Sequence, residues 1–245
     1  MSEYQVAADA LKGKTILVTG AGDGIGKAAA MTYAAHGATV ILLGRTVKKL
    51  EAVYDAIVEA GYPQPAIVPL DMKGATEQNY QDMAETIAEQ FGHLDGLLHN
   101  ASLLGVLGPF EHTDFGSFND VMQVNVTAQA MMTKALLPVL RKAPTASIIF
   151  TSSGVGRKGR AYWNAYAISK FATEGMMQVL ADECDGSGVR VNSINPGATR
   201  TGMRANAYPA ENPQDLKTPQ EIMPVYLYLM SDASANENGG QFSAQ

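Results

Sequence analysis

Residues 15–26 read Thr-Ile-Leu-Val-Thr-Gly-Ala-Gly-Asp-Gly-Ile-Gly, an apolar run that enters a glycine-rich turn and leaves it in a helical pattern. A strand followed by Gly20, Gly22, Gly24 and Gly26, and then by a helix, lets backbone N–H groups approach a pyrophosphate without interference from Cβ atoms. The helix N-terminus then points at the anion. Glycines alone are a weak signal, but glycines between a strand and a helix are a much stronger one. Asp23 sits inside this turn, where a carboxylate near phosphates costs Coulomb energy; its other reading is an N-cap for the helix that starts near Gly24.

Outward from that turn, short apolar runs alternate with longer helical patterns. Strands are predicted at Thr15–Val18, Thr39–Leu43, Ala66–Leu70, Leu94–Leu98, Ser147–Thr151 and Val189–Ile194. Most lack polar–apolar alternation, as expected of strands covered on both faces. Between them, Tyr80, Met83, Ala84, Ile87 and Phe91 share one face of a helix over Ala75–Phe91, and further helices are predicted over about Ser117–Leu140 and Tyr162–Cys184. Strand–helix–strand repetition predicts an α/β fold: a Rossmann-type, doubly wound parallel sheet. No linker, repeat or low-complexity tract divides residues 1–245, which predicts a single domain.

Composition narrows the function. Of the 245 residues, 46% are apolar and 17% charged, which suits a packed globular enzyme. A net charge of −6 without a basic block argues against nucleic acid as a partner. The single cysteine, Cys184, rules out an internal disulfide framework and fits a reducing compartment; its reading is a small buried hydrophobe on a helix. Residues 1–14 lack an apolar core of signal-peptide type, and no run approaches a membrane span, so a cytoplasmic protein without membrane partners is expected. The four histidines, at 36, 93, 99 and 112, show no ligand spacing, so no metal is expected and they read as surface or supporting groups.

Ligands of such sheets bind beyond the carboxyl ends of the strands. The turn after the second strand reads Gly44-Arg45-Thr46, with no acidic residue until Glu51. An acidic residue there would bond the ribose hydroxyls of NAD, whereas a basic one accommodates the 2′-phosphate of NADP. Arg45 could grip that phosphate in a forked arrangement and Thr46 add a donor, so NADP(H) is preferred with NAD(H) possible. The other reading is a surface arginine, with the Thr46 hydroxyl capping the next helix.

Tyr166 and Lys170, four apart, share one helix face. An ammonium beside a phenol favours the phenolate and is expected to lower the phenol from its usual value of about 10, making it a general acid for reduction and a base for oxidation. Ser153 follows the fifth strand, where a hydroxyl can donate to a substrate carbonyl oxygen; Ser152 competes for that role. Asn125, in an apolar helical pattern, would need partners if buried, and its amide could hold a water for proton transfer.

These residues make the chain similar to the short-chain dehydrogenase/reductase family, from about Lys14 to the C-terminus. Thr19-Gly20-Ala21-Gly22-Asp23-Gly24-Ile25-Gly26 resembles the family's Thr-Gly-x-x-x-Gly-x-Gly. His99-Asn100-Ala101-Ser102 resembles its Asn-Asn-Ala-Gly, with His99 and Ser102 as departures. Asn125, Ser153, Tyr166 and Lys170 fall in the order and spacing of its tetrad, and Pro196-Gly197 through Thr201 resembles its nicotinamide-side segment. The resemblance implies an NAD(P)(H)-dependent oxidoreductase interconverting a carbonyl and a secondary alcohol. By it, Tyr166 exchanges the proton, Lys170 lowers its pKa and bonds the nicotinamide ribose, Ser153 orients the carbonyl and Asn125 holds a relay water. It also implies cofactor contacts from Gly20, Gly22, Asp23, Gly24, Ile25, Gly26, Arg45, Thr46, Asp71, Met72, Asn100, Ala101, Tyr166, Lys170, Pro196, Gly197, Thr199 and Thr201. Asp71 matches an acidic residue facing adenine.

The region about 198–218 corresponds to a mobile substrate lid. Its Arg200 and Arg204 read either as contacts for an anionic group or as solvated charges. Leu103, Leu104, Val106, Leu107 and Phe110 line the pocket or simply pack, and Trp163 flanks it. A homodimer or homotetramer is expected. The chain ends Gly239-Gly240-Gln241-Phe242-Ser243-Ala244-Gln245 where many members close a last strand with Asp-Gly-Gly, which bears on that strand and its tetramer contact. The rival reading is a dinucleotide-binding regulator or redox sensor that kept the fold without the chemistry.

Overall fold

A computed structural model describes residues 4–245; Met1–Glu3, part of the stretch read for a signal peptide, lie outside the described residues. Seven strands form one parallel sheet: β1 (Thr15–Thr19), β2 (Thr39–Gly44), β3 (Ala66–Pro69), β4 (Gly96–His99), β5 (Ala146–Thr151), β6 (Val189–Asn195) and β7 (Gln241–Ser243). Their spatial order is β3-β2-β1-β4-β5-β6-β7. Strand order therefore reverses between β1 and β4, which opens a crevice at their carboxyl ends.

Among the described residues there are eight α-helices, α1 (Gly24–Ala35), α2 (Val47–Glu59), α3 (Glu77–Phe91), α4 (Phe115–Met122), α5 (Ala128–Leu140), α6 (Asn164–Glu183), α7 (Gly202–Ala207) and α8 (Met223–Met230), and the sheet is flanked by helices on both faces. Alternate strand residues feed two apolar layers. Ile16, Val18, Val40 and Leu42 pack under α1, α2 and α8, while Leu17, Ile41, Leu43 and Phe150 pack under α3, α5 and α6. Both faces are dry, which is why these strands show no alternation in sequence.

The helix expected over Ser117–Leu140 is interrupted by a π-helical turn at Gln123–Thr127, which contains Asn125. Such turns are rare and cluster at functional sites. The last edge strand does form, and side chains secure it. The Glu174 carboxylate accepts from Arg157 Nε at 3.0 Å, Ser193 Oγ at 2.8 Å and Gln241 Nε2 at 3.0 Å, while Arg157 donates to the Phe242 carbonyl at 2.8 Å. This hub ties β7 to α6 and β6 without the Asp-Gly-Gly ending.

Two glycines set the geometry of the crevice. A Cβ on Gly26 would overlap the Gly20 carbonyl, so only glycine lets α1 start against the turn. A Cβ on Gly156 would sit 2.7 Å from Lys170 Cβ, so α6 presses directly on the 154–156 turn that follows Ser153.

Candidate active site

A cavity of about 450 Å³ runs along the carboxyl edge of the sheet. At one end the glycine turn (Gly20, Gly22, Asp23, Gly24, Ile25) faces Arg45, Thr46, Asp71 and Met72; Asn100 and Ala101 form the middle; Ser153, Tyr166, Pro196, Gly197, Thr199 and Thr201 close the other end. Gly26, Asn125 and Lys170 are not in its wall. Gly26 lies under the turn, and Asn125 and Lys170 are buried behind Tyr166 and the loop after β4.

Local chemistry places these groups. The Thr19 hydroxyl donates to the Leu98 carbonyl and accepts from Asn100 N at 2.9 Å and Ala101 N at 3.0 Å, joining the ends of β1 and β4. Asp23 caps α1, accepting from Gly24 N at 2.8 Å, and its other oxygen pairs with Lys49 Nζ at 2.6 Å. That bond to Lys49 holds its carboxyl below the usual carboxylate range, against burial. Lys49 escaped the motif reading because it stands on the first turn of α2, 26 residues from Asp23, and the two meet only in the fold. Arg45 is exposed, and among the described residues no partner holds it. Thr46 precedes α2 but makes no side-chain cap bond, so the capping alternative is not what occurs.

At the opposite end, Tyr162 (φ 72°) and Asn164 (φ 37°) turn the chain sharply into α6, and Asn164 donates to Thr113 Oγ1 at 2.6 Å. Positive φ at such residues is strained backbone, which the fold holds two residues before Tyr166. Tyr166 is buried, and it shares the cavity wall with Ser153, whose Oγ accepts from Val155 N at 3.4 Å. Lys170 lies with Nζ 5.5 Å from the Tyr166 ring centroid and donates to the Thr151 carbonyl at 2.8 Å.

The expected direction for the phenol is corrected by the surroundings. Burial pushes Tyr166 up to about 12, with the Ser153 hydrogen bond opposing. Burial likewise pushes Lys170 down to about 8, with the Glu174 carboxylate opposing. Both groups pay desolvation in their charged forms, and this outweighs the neighbourly effect that their spacing suggests. Tyr166 is therefore a phenol at neutral pH.

Asn125 also differs from expectation. Its Oδ1 accepts from Leu103 N at 2.7 Å, and Nδ2 donates to the Leu103 carbonyl at 2.9 Å and to Ser169 Oγ at 3.0 Å. Both amide protons are committed to protein, so the side chain fixes the loop after β4 rather than presenting its N–H groups to a water. His99, read as a surface or supporting group, is fully buried: Nε2 meets Thr133 Oγ1 at 2.8 Å, and the ring stacks on Phe150 at 4.7 Å. Burial and, secondarily, Lys170 hold it down to about 3.

Of the apolar stretch after β4, Leu103 and Leu104 reach the cavity, whereas Val106 and Phe110 are exposed. Trp163 lies in the wall with its ring 5.7 Å from that of Tyr166. Ser152 lines the cavity as well, but its Oγ is buried without a hydrogen-bond partner among the described residues. The 198–218 excursion is closed at its base by a Thr199–Lys217 bridge and carries Met203 and Arg204 over the same end. Cys184 is buried and free, and among the described residues no cluster could hold a metal ion.

Comparison with known proteins agrees with this geometry. The family model described as short chain dehydrogenase matches residues 14–212. The oxidoreductase YciK of Escherichia coli K12 is 56% identical over 99% of this chain and 96% of its own length. A structure described as a short chain dehydrogenase of Shigella flexneri 2a in complex with NADP is 55% identical, with a TM-score of 0.95 over 98% of this chain and all of that one. Another, from Escherichia coli CFT073 in complex with NADPH, is 56% identical, with a TM-score of 0.96 over the same shares.

Proposed function

The chain belongs to the short-chain dehydrogenase family of oxidoreductases, and on that premise we propose that it reduces a carbonyl to a secondary alcohol, or the reverse, with NADP(H) preferred over NAD(H). The observation that carries this reading is one cavity with an unpaired Arg45 at one end and Ser153 against Tyr166, with Lys170 behind, at the other.

A dinucleotide fits these residues. The glycine backbone at Gly20, Gly22 and Gly24, which lines the cavity, suits a pyrophosphate, Arg45 and the Thr46 hydroxyl suit a 2′-phosphate, and Asp71 lies at the adenine side. Relatives in complex with NADP and NADPH support the same choice. Pro196, Gly197, Thr199 and Thr201 would hold the nicotinamide side. The bound group supplies the hydride; the protein supplies the proton and the orientation.

In the reducing direction the Ser153 hydroxyl donates to the substrate oxygen, and the Tyr166 hydroxyl gives it a proton as the carbon gains hydride, leaving a phenolate. The Lys170 ammonium, charged below about pH 8, stabilises that phenolate from behind the ring. Asn125 acts by fixing Leu103, a wall of the cavity. Residues 198–218 serve as the substrate lid on a single domain. An exposed apolar stripe on α6 (Ile168, Phe171, Val179) supports self-association into a homodimer or homotetramer, and the buried free thiol of Cys184 suits the cytoplasm. Among the described residues no helix is long and apolar enough to cross a membrane.

The test is a panel of ketones, aldehydes and secondary alcohols, run with NADPH and NADH in parallel on wild type and Tyr166→Phe. Turnover should fall at least about 100-fold in the variant while NADPH binding persists. If both proteins bind NADPH and neither turns over any member of the panel, the sensor reading replaces this one.

A further inference from the structure

Arg204 lies in the cavity wall at the substrate end, and there it reads at first as an anchor for an acidic substrate. Its guanidinium is already spent. Nε and Nη2 donate to the two carboxylate oxygens of Glu211 at 2.6 and 2.7 Å, a fork-to-fork pair, and its flat face lies 3.9 Å from the Tyr208 ring centroid. Arg200, the other lid arginine, is spent on backbone, donating to the Pro213 and Leu216 carbonyls at 2.7 and 3.2 Å. The contrast with the far end is sharp, for there Arg45 has no partner among the described residues. Among the described residues the cavity therefore has a cation free for a phosphate at the cofactor end and none free for a carboxylate at the substrate end.

What lines the substrate end instead is largely apolar and aromatic. Trp163 stands in the wall 5.7 Å from the Tyr166 ring centroid, with Leu104 and Met203 beside it, and is backed by Tyr208 at 5.9 Å outside the wall. We propose that the substrate is an uncharged aryl or alicyclic carbonyl compound, and that Glu211 determines this specificity by cancelling the charge of Arg204 at the lid. This rests on the oxidoreductase reading and narrows it. An acid entering here would have to expel Glu211 from a bidentate pair or bury its own carboxylate among rings, and either cost discriminates against it. A neutral ring meets neither cost.

Two ketones of matched shape test this: para-isopropylacetophenone and para-acetylbenzoate. Wild type should favour the neutral ketone by at least about tenfold in kcat/KM. Glu211→Gln frees Arg204, and the preference should shrink at least about tenfold through a lower KM for the carboxylate. Adding Arg204→Gln to that variant should restore the preference for the neutral ketone. Each ratio is read on one preparation, so any loss of folded protein cancels. Trp163, the chain's one tryptophan, gives a second readout: quenching of the enzyme–NADPH complex by either ketone should follow the same order even if neither turns over. A failure of turnover alone would then fall on the oxidoreductase reading, and the order of binding on this one. Wild-type preference for the carboxylate, or a ratio that Glu211→Gln leaves unchanged within about twofold, overturns the proposal.

Discussion

Asp23 is the residue through which the cofactor end can be perturbed most cleanly. Its carboxylate caps α1 and holds Lys49 at 2.6 Å, and the two side chains are 76% and 56% exposed. At 2.6 Å two unit charges in water attract by about 1.6 kcal/mol, but pairs this exposed deliver only about 0.2–1 kcal/mol once side-chain entropy and salt are counted. Asparagine caps a helix about as well as aspartate. Asp23→Asn therefore keeps the turn, releases Lys49 towards Arg45 and Thr46, and removes a negative charge from the phosphate site. At a separation taken as roughly 8 Å for illustration, a carboxylate and one phosphate charge repel by about 0.5 kcal/mol in water before screening. A 2′-phosphate brings nearly two charges beyond those of the pyrophosphate. Together with the release of Lys49, this puts the gain for NADPH near 1 kcal/mol after screening, or about fivefold in Kd, against about twofold or less for NADH. Fluorescence titration of Trp163 or calorimetry at about 0.1 M salt measures both, and the gain should contract at 0.5 M. Arg45→Asp is the opposite perturbation and should weaken NADPH far more than NADH. Equal changes for the two cofactors in either variant would refute the assignment of this corner to a 2′-phosphate.

Two further outcomes concern the scaffold behind the site. Glu174→Gln leaves Arg157, only 22% exposed, without its counter-charge; discounted for that exposure the loss is about 2 kcal/mol, or roughly 4–8 °C in Tm, with faster amide exchange at Phe242 and Ser243. A Tm within about 2 °C of wild type would show that the hub is not what holds β7. His99 is held neutral, its folded value of about 3 lying below the ordinary 6.5, so the unfolded chain takes up the proton first as pH falls. Its contribution to stability is whole above pH 6.5 and is lost towards pH 3 at up to about 1.4 kcal/mol per pH unit. Urea unfolding at a series of pH values should show this extra slope in wild type and not in His99→Asn; parallel curves would mean that His99 is not the group responsible.

The sheet and the tight glycine turn were legible because their causes are local. An unbroken apolar run implies two covered faces wherever it falls, and glycine at position 26 states a backbone approach directly. The π turn at 123–127 was not legible, since apolar spacing continues through it and the turn is selected by what Asn125 bonds across the fold. The same holds for charge. Sequence lists Asp23, Arg45, Arg200 and Arg204 as ionic groups of equal standing, but pairing is decided by elements that meet only after folding: α2 supplies Lys49, the 198–218 excursion supplies Glu211, and none of the described residues supplies a partner for Arg45. Tyr166 and Lys170 make the argument in its strongest form. Their spacing speaks for mutual stabilisation of charge, whereas burial by many separate chain segments speaks for desolvation, and desolvation sets the direction of both shifts. A pairing rule read along one helix therefore predicts which groups will be neighbours and fails to predict which of them will be charged, because charge depends on the water that the rest of the chain excludes.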